Sequence, residues 1–282
     1  MQNLLREAAQ KIAAQYKITY TEALDKLNEL ANKDLKLAKK TEGVTDEKEL
    51  FRFSEYKNFI KKAKKTIYYD LRRFHSSAKA EKELLSHFIT HADAQTILEL
   101  TRTHASTKER EPYITVFNDQ LAMFAENSKN VLDIGGGLFP LQFPYTNFSS
   151  LKNYVWLDKD KKAFDILEVF TKTLPNITFN LHKESIGEHT WESYLPSGAT
   201  EFDLALMIKL VPLIYRQERP LLRYLATVPA KRILITGSKE SLTKKKSIYF
   251  RENETLKEFI KISGRKILNK LEIPNEFGYL LE

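Results

Sequence analysis

Five short apolar runs, Val131–Ile134, Tyr154–Leu157, Ile177–Leu181, Phe202–Ile208 and Arg232–Thr236, recur through the second half of the chain, separated by stretches of helical spacing. Apolar runs of that length, alternating with helices, are strands of a parallel sheet covered on both faces. The pattern predicts an α/β domain over residues 104–282, with Phe277–Leu281 as one more strand at the edge of the sheet.

Residues 1–103 read differently. Leu4, Leu5, Ala8, Ala9 and Ile12 keep three-to-four spacing, and Thr19 with Glu22 forms a capping box ahead of Ala23, Leu24 and Leu27. This part is expected to be an all-α domain. On a helical wheel Phe59, Ile60, Ala63, Ile67, Leu71 and Phe74 share one arc, while Lys57, Lys61, Lys64, Lys65 and Arg72 fill the adjacent one with Tyr68. A basic stripe bordering a buried one is either a solvated face or a surface that tracks phosphates.

The chain as a whole is basic. The 282 residues hold 45 Lys+Arg against 37 Asp+Glu, a formal net charge of +8. Such a balance suits a polyanion, with nucleic acid ahead of an anionic membrane. Lys244, Lys245 and Lys246 form a second candidate patch facing RNA. No apolar run reaches the roughly 20 residues of a membrane span, since Lys209 and Pro212 interrupt the best one, Leu204–Ile214. The start has no signal-peptide pattern, so a cytoplasmic protein with no membrane partner is expected.

The chain has no cysteine. That excludes disulfides, cysteine–zinc and iron–sulfur sites, and every mechanism with a cysteine nucleophile, including cysteine-dependent carbon methylation of pyrimidines. His87 and His91 stand four apart, but without a third ligand or an HExxH pattern no metal site is expected. Neither a GxSxG elbow nor a P-loop is present.

Chemistry is concentrated where the first strand ends. In Val131-Leu132-Asp133-Ile134-Gly135-Gly136-Gly137 the glycines let backbone turn tightly and approach a ligand closely. A dinucleotide fingerprint needs a third glycine where this chain has Pro140, which disfavours nicotinamide and flavin. The next run ends at Asp158, where a carboxylate can accept both ribose hydroxyls of an adenosine. Loop and carboxylate together fit S-adenosylmethionine.

Three segments in this order resemble the aminoglycoside-resistance 16S rRNA guanine-N7 methyltransferases, the Arm/Rmt group: His104-Ala105-Ser106-Thr107-Lys108-Glu109-Arg110, Val131 through Leu141, and Asp203 through Leu213. The resemblance implies a Rossmann-like S-adenosylmethionine-dependent methyltransferase domain preceded by an all-α RNA-docking domain, with 16S rRNA in the assembled small subunit as partner. It further implies that Arg110 binds the cofactor's carboxylate, that Gly135 and Gly137 line its methionine, and that Asp158 holds its ribose. His104, Ser106, Thr107 and Asp133 join the cofactor site by the same likeness, Lys183 and Glu184 take the place of an acidic residue expected after the third strand, and Lys209 stands at the target nucleotide. Phe139 replaces an asparagine usual in the group. Guanine N7 attacks with a ring lone pair that carries no proton, so the absence of any paired general base is compatible with transfer by positioning. Phe139, Phe143, Tyr145 and Tyr215 are the aromatic candidates for holding an extruded base. The alternatives are transfer to another rRNA or tRNA base, such as adenine N1, and an RNA-binding protein that has lost transfer.

Overall fold

In a computed structural model of the protein, Asn130–Ile134 (β1) is an inner strand, third from one edge of a seven-stranded sheet. The structure describes residues 5–16, 18–32, 34, 37, 44, 47–72, 83–84, 86–88, 93–241 and 246–282. The other strands are Asn153–Leu157 (β2), Thr178–His182 (β3), Phe202–Met207 (β4), Ala230–Ser238 (β5), Ile267–Ile273 (β6) and Glu276–Leu281 (β7). Their order is β3-β2-β1-β4-β5-β7-β6. Strands β1 to β5 are parallel, whereas β7 runs antiparallel to both β5 and β6. The chain builds outward from β1 to β3, then returns to lay β4 on the other flank of β1. Sheets of this kind bind ligands at such a reversal, outside the carboxyl ends of β1 and β4.

Neighbouring residues on one strand serve opposite layers. Val131, Tyr154 and Leu204 enter one hydrophobic cluster, and Leu132, Val155 and Ala205 enter the other. Helix Tyr249–Ser263 covers the second layer with Leu256 and Phe259 and ends at Gly264, in the left-handed conformation that favours glycine.

Phe277–Leu281 lies in a strand, but an inner one, which corrects the expected edge position. The edge on that side is β6, in which only Leu271 and Ile273 are buried while Asn269, Lys270 and Glu272 face solvent. A strand with one wet face and charged residues carries too few apolar positions to be read as a run.

Two compact units make up the described chain, one within residues 1–75, the other in 76–241 and 246–282. The division at 103 follows the change of sequence pattern. By packing, helix Ala94–Arg102 belongs to the second unit, since its Leu100 joins the cluster of Phe117, Leu121 and Val131. In the first unit Leu5, Ile12, Ala23, Leu27, Phe59, Ala63 and Ile67 form a core. The capping box is formed as expected: Glu22 Oε2 accepts the Thr19 N–H at 2.9 Å, and the Glu22 N–H donates to Thr19 Oγ1 at 3.2 Å. On helix Ser54–Arg72 the Lys57, Lys61 and Lys65 side chains are exposed and Lys64 is half-buried, opposite buried Phe59, Ala63 and Ile67. The side chain of Arg72 and residues His91, Lys244 and Lys245 lie outside the described residues, while Lys246 is exposed. Among the described residues no helix is long and apolar enough to cross a membrane.

Candidate functional site

The glycine loop is bare backbone held from behind. Gly135 and Gly137 take φ of +66° and +51°, conformations that L side chains rarely adopt. The Gly135 N–H donates to Leu157 O at 2.7 Å, Trp156 Nε1 donates to Gly137 O at 3.0 Å, and the Gly137 N–H donates to Asp158 Oδ2 at 2.9 Å. The carboxyl end of β2 thus fixes the loop after β1. Asp158 Oδ1 accepts the Asp160 N–H at 3.0 Å, so both its oxygens already hold backbone. Burial raises the Asp158 carboxyl above its usual range, against the amides of Asp160 and Gly137.

Asp133 points away from the loop surface into the core. It is wholly buried; Tyr154 Oη donates to its Oδ2 at 2.9 Å, and Oδ1 finds no hydrogen-bond partner among the described residues. Burial, more than the charge of Asp158, pushes this carboxyl up to about 7, with the Tyr154 hydrogen bond opposing. Its role is beneath the loop rather than at its surface.

The segment His104–Arg110 divides by direction. The His104 ring lies 3.0 Å from where a Cβ on Gly137 would sit, and its Nδ1 is 2.9 Å from Ser106 Oγ. Both residues reach the loop's surroundings. Thr107 is buried with its hydroxyl on the Thr101 and His104 carbonyls, so it ties the start of helix Ala105–Arg110 rather than facing a ligand.

Arg110 is 1% exposed and lies between aromatic rings, its guanidinium 4.5 Å from the Phe117 centroid and 5.3 Å from that of Phe139. Its Nε and Nη2 donate to the carboxylate of Glu276, at 3.2 and 3.0 Å to Oε2 and at 3.2 Å to Oε1. Lys209 follows β4 with φ of +57°, its N–H donating to Thr236 Oγ1 at 2.9 Å. Lys209 Nζ lies 2.9 Å from Glu109 Oε2 and 3.5 Å from Glu276 Oε2. Arg110 and Lys209, expected at cofactor and target, are therefore joined through one carboxylate. Sequence reasoning missed Glu109, Thr236 and Glu276. Glu109 stands inside the HASTKER segment, but nothing local marks Glu276 as the partner of a residue 166 positions away.

After β3, Lys183 Nζ lies 5.0 Å over the Phe164 ring and Glu184 pairs with His189 at 3.3 Å. Glu184, Glu188 and His189 bring donor atoms within 4.8 Å of one another, the one such grouping among the described residues. A surface cavity of about 690 Å³, lined by residues 187–193 with Tyr224 and Thr227, holds none of the expected site residues. Two of the four aromatic candidates are core: Phe139 and Phe143 are 2% and 4% exposed. Tyr145 packs against the same cluster, and Tyr215 carries the Arg219 guanidinium at 4.8 Å.

Among solved structures, the 16S rRNA methylase ArmA matches with a TM-score of 0.57 at 21% identity, over 74% of this chain and 98% of that one. The 16S rRNA methylase RmtB matches at 0.55 and 19%, over 99% and 98%. The 16S rRNA methyltransferase RmtF, solved in complex with S-adenosyl-L-homocysteine, matches at 0.52 and 19%, over 83% and 86%. No protein-family model matches this sequence, and no curated protein matches it. Likeness at this identity shows the fold alone, a Rossmann-like α/β domain of the kind these methyltransferases carry.

Proposed function

We propose that the protein is an S-adenosylmethionine-dependent 16S rRNA methyltransferase that modifies guanine N7 in the decoding A-site of the assembled small ribosomal subunit, in the cytoplasm, and so confers aminoglycoside resistance. The observation that carries this reading is the convergence of a side-chain-free glycine loop with Arg110 and Lys209 at the carboxyl end of the sheet. The fold alone admits many substrates; the HASTKER segment and a lysine at the end of β4 narrow them.

The residues present fit the cofactor. At Gly135, Gly136 and Gly137 a Cβ would run into Leu210, Asp133 and the His104 ring respectively, so the loop admits no side chain and offers a ligand bare backbone. Arg110 spends Nε and Nη2 on Glu276, which leaves Nη1 to donate to a ligand carboxylate. Asp158 keeps lone pairs for ribose hydroxyls beside the two amides that it accepts. When bound, S-adenosylmethionine would supply a methyl group already activated on a sulfonium. The chain then has to position rather than deprotonate: Lys209, 13% exposed and paired with Glu109, would donate to the target base, and N7 needs no base catalyst. Phe139, the departure from the group's asparagine, packs on Arg110 and Phe117, so this substitution is absorbed by the core and supports retained transfer.

The test is rRNA from cells expressing the protein, reduced and cleaved with aniline, then read by reverse-transcription stops. A new stop at a decoding-site guanine, with raised aminoglycoside resistance, is expected. A mark on another base transfers the assignment to that base; no mark despite intact cofactor binding leaves an RNA-binding protein.

A further inference from the structure

Glu276 opens β7 with no exposure to solvent, yet its carboxyl lies against two cations. Burial drives its carboxyl up, but the charges of Arg110 and Lys209, together with the hydrogen bonds from Thr236 and Arg110, hold it below the usual carboxylate range. The Thr236 hydroxyl donates to Oε1 at 2.6 Å and fixes the carboxylate's plane. The same hydroxyl accepts the Lys209 N–H at 2.9 Å. One rigid unit, Thr236 with Glu276, therefore sets the backbone of Lys209, the ammonium of Lys209 and the guanidinium of Arg110.

Buried ion pairs are poor devices for stability, because apolar residues of equal volume usually serve as well. A pair that includes both residues assigned to cofactor and target asks for another purpose. We propose that Glu276 is the positioning residue of this site, a single carboxylate that aligns Arg110 toward the cofactor's amino-acid end and Lys209 toward the target base. The inference rests on the methyltransferase reading and deepens it. Without Glu276 the guanidinium keeps its contacts with Phe117 and Phe139 but loses the carboxylate that fixes its orientation, and Lys209 follows Glu109 alone.

The experiment compares Glu276→Gln, Glu276→Asp and Thr236→Val with wild type. Calorimetry uses S-adenosylhomocysteine, which carries an amino-acid carboxylate, and 5′-methylthioadenosine, which lacks it; kcat and KM are measured on small subunits. Glu276→Gln should weaken S-adenosylhomocysteine about tenfold, as expected for one oriented charged hydrogen bond, with methylthioadenosine unchanged. Its kcat should fall about tenfold or more with little change in KM for subunits. Glu276→Asp should recover part of both. Thr236→Val, which removes no charge, should lower kcat and weaken S-adenosylhomocysteine less than Glu276→Gln does, with methylthioadenosine unchanged, and it carries the test if Glu276→Gln does not fold. Equal weakening of the two ligands, or a lowered melting temperature with unchanged kcat and affinities, overturns the proposal and makes Glu276 a tether for β7. Failure of the methyltransferase reading shows in the wild type, as absent binding or transfer; failure of this one shows only in the variants.

Discussion

The carboxylate of Asp133 occupies the space into which a side chain at Gly136 would project, so the loop and the buried acid beneath it exclude one another's enlargement. Gly136 is thus required by packing, whereas Gly135 and Gly137 are required by positive φ. Gly136→Ala should force Asp133 from its bond with Tyr154 and cost about 1–3 kcal/mol, the usual range for overpacking. Urea denaturation measures this. The double variant Gly136→Ala with Asp133→Ala should recover part of the stability; strict additivity would show that the two residues do not compete for space.

Asp133 also gives the fold a pH dependence with a defined sign. Its carboxyl moves from 3.8 to about 7 on folding, so between those values the native state binds the proton that the unfolded state has released. The contribution of Asp133 to stability is therefore greatest below about 4 and declines as pH rises toward about 7. Asp133→Asn keeps an acceptor for Tyr154 and removes the titration. The stability of the variant relative to wild type should rise across that window; parallel curves would place the ionised carboxylate comfortably in the fold.

The basic stripe of helix Ser54–Arg72 is tested by salt. Removing one lysine–phosphate pairing should reduce the slope of log affinity against log salt by about 0.7–0.9. Reversing Lys57, Lys61 and Lys65, all exposed, should weaken binding to small subunits most at low salt and leave S-adenosylhomocysteine binding as it was. An unchanged slope would reduce the stripe to a solvated face.

Strands β1, β2, β4 and β5 are legible in the sequence because each carries consecutive apolar residues, β3 because Phe179 and Leu181 alternate with polar neighbours, and the glycine loop because three glycines follow one of these strands. Strand β6 is not, since its outer face is polar and its pairing with β7 is decided by tertiary packing. At the site, Lys209 announces itself as a lysine within an apolar run and Arg110 through its motif. Glu276 does neither: a glutamate before an apolar run reads as a strand's wet end, and only folding brings it to Arg110. The same limit applies to Phe139, which reads as a defect in the loop until Phe117 and Arg110 are seen against it.

Arg110 and Glu276 offer a separation of stability from binding. Removing one partner of a buried pair typically costs about 3–5 kcal/mol, while replacing both by apolar residues is often neutral. Arg110→Met should therefore be strongly destabilised, and Arg110→Met with Glu276→Leu should regain most of that stability. Neither should bind S-adenosylhomocysteine like wild type. A double variant with normal cofactor affinity would remove Arg110 from the cofactor site while leaving its structural role.

Lys209 separates backbone from side chain. At φ of +57° a residue with a Cβ bears a strain of about 1–2 kcal/mol, which glycine does not. Lys209→Gly and Lys209→Ala both delete the ammonium and its contact with Glu109, so their difference reports the backbone alone. The glycine variant should be the more stable of the two by about 1 kcal/mol in urea denaturation. Both should bind S-adenosylhomocysteine and small subunits much as wild type does, because the proposed contact of Lys209 forms only with an extruded base. Both should lose methylation, with kcat falling far more than KM rises. If the glycine variant, folded and stable, methylates rRNA at the wild-type rate, the ammonium has no part in transfer, and the strained turn after β4 serves only to start the helix Leu210–Gln217.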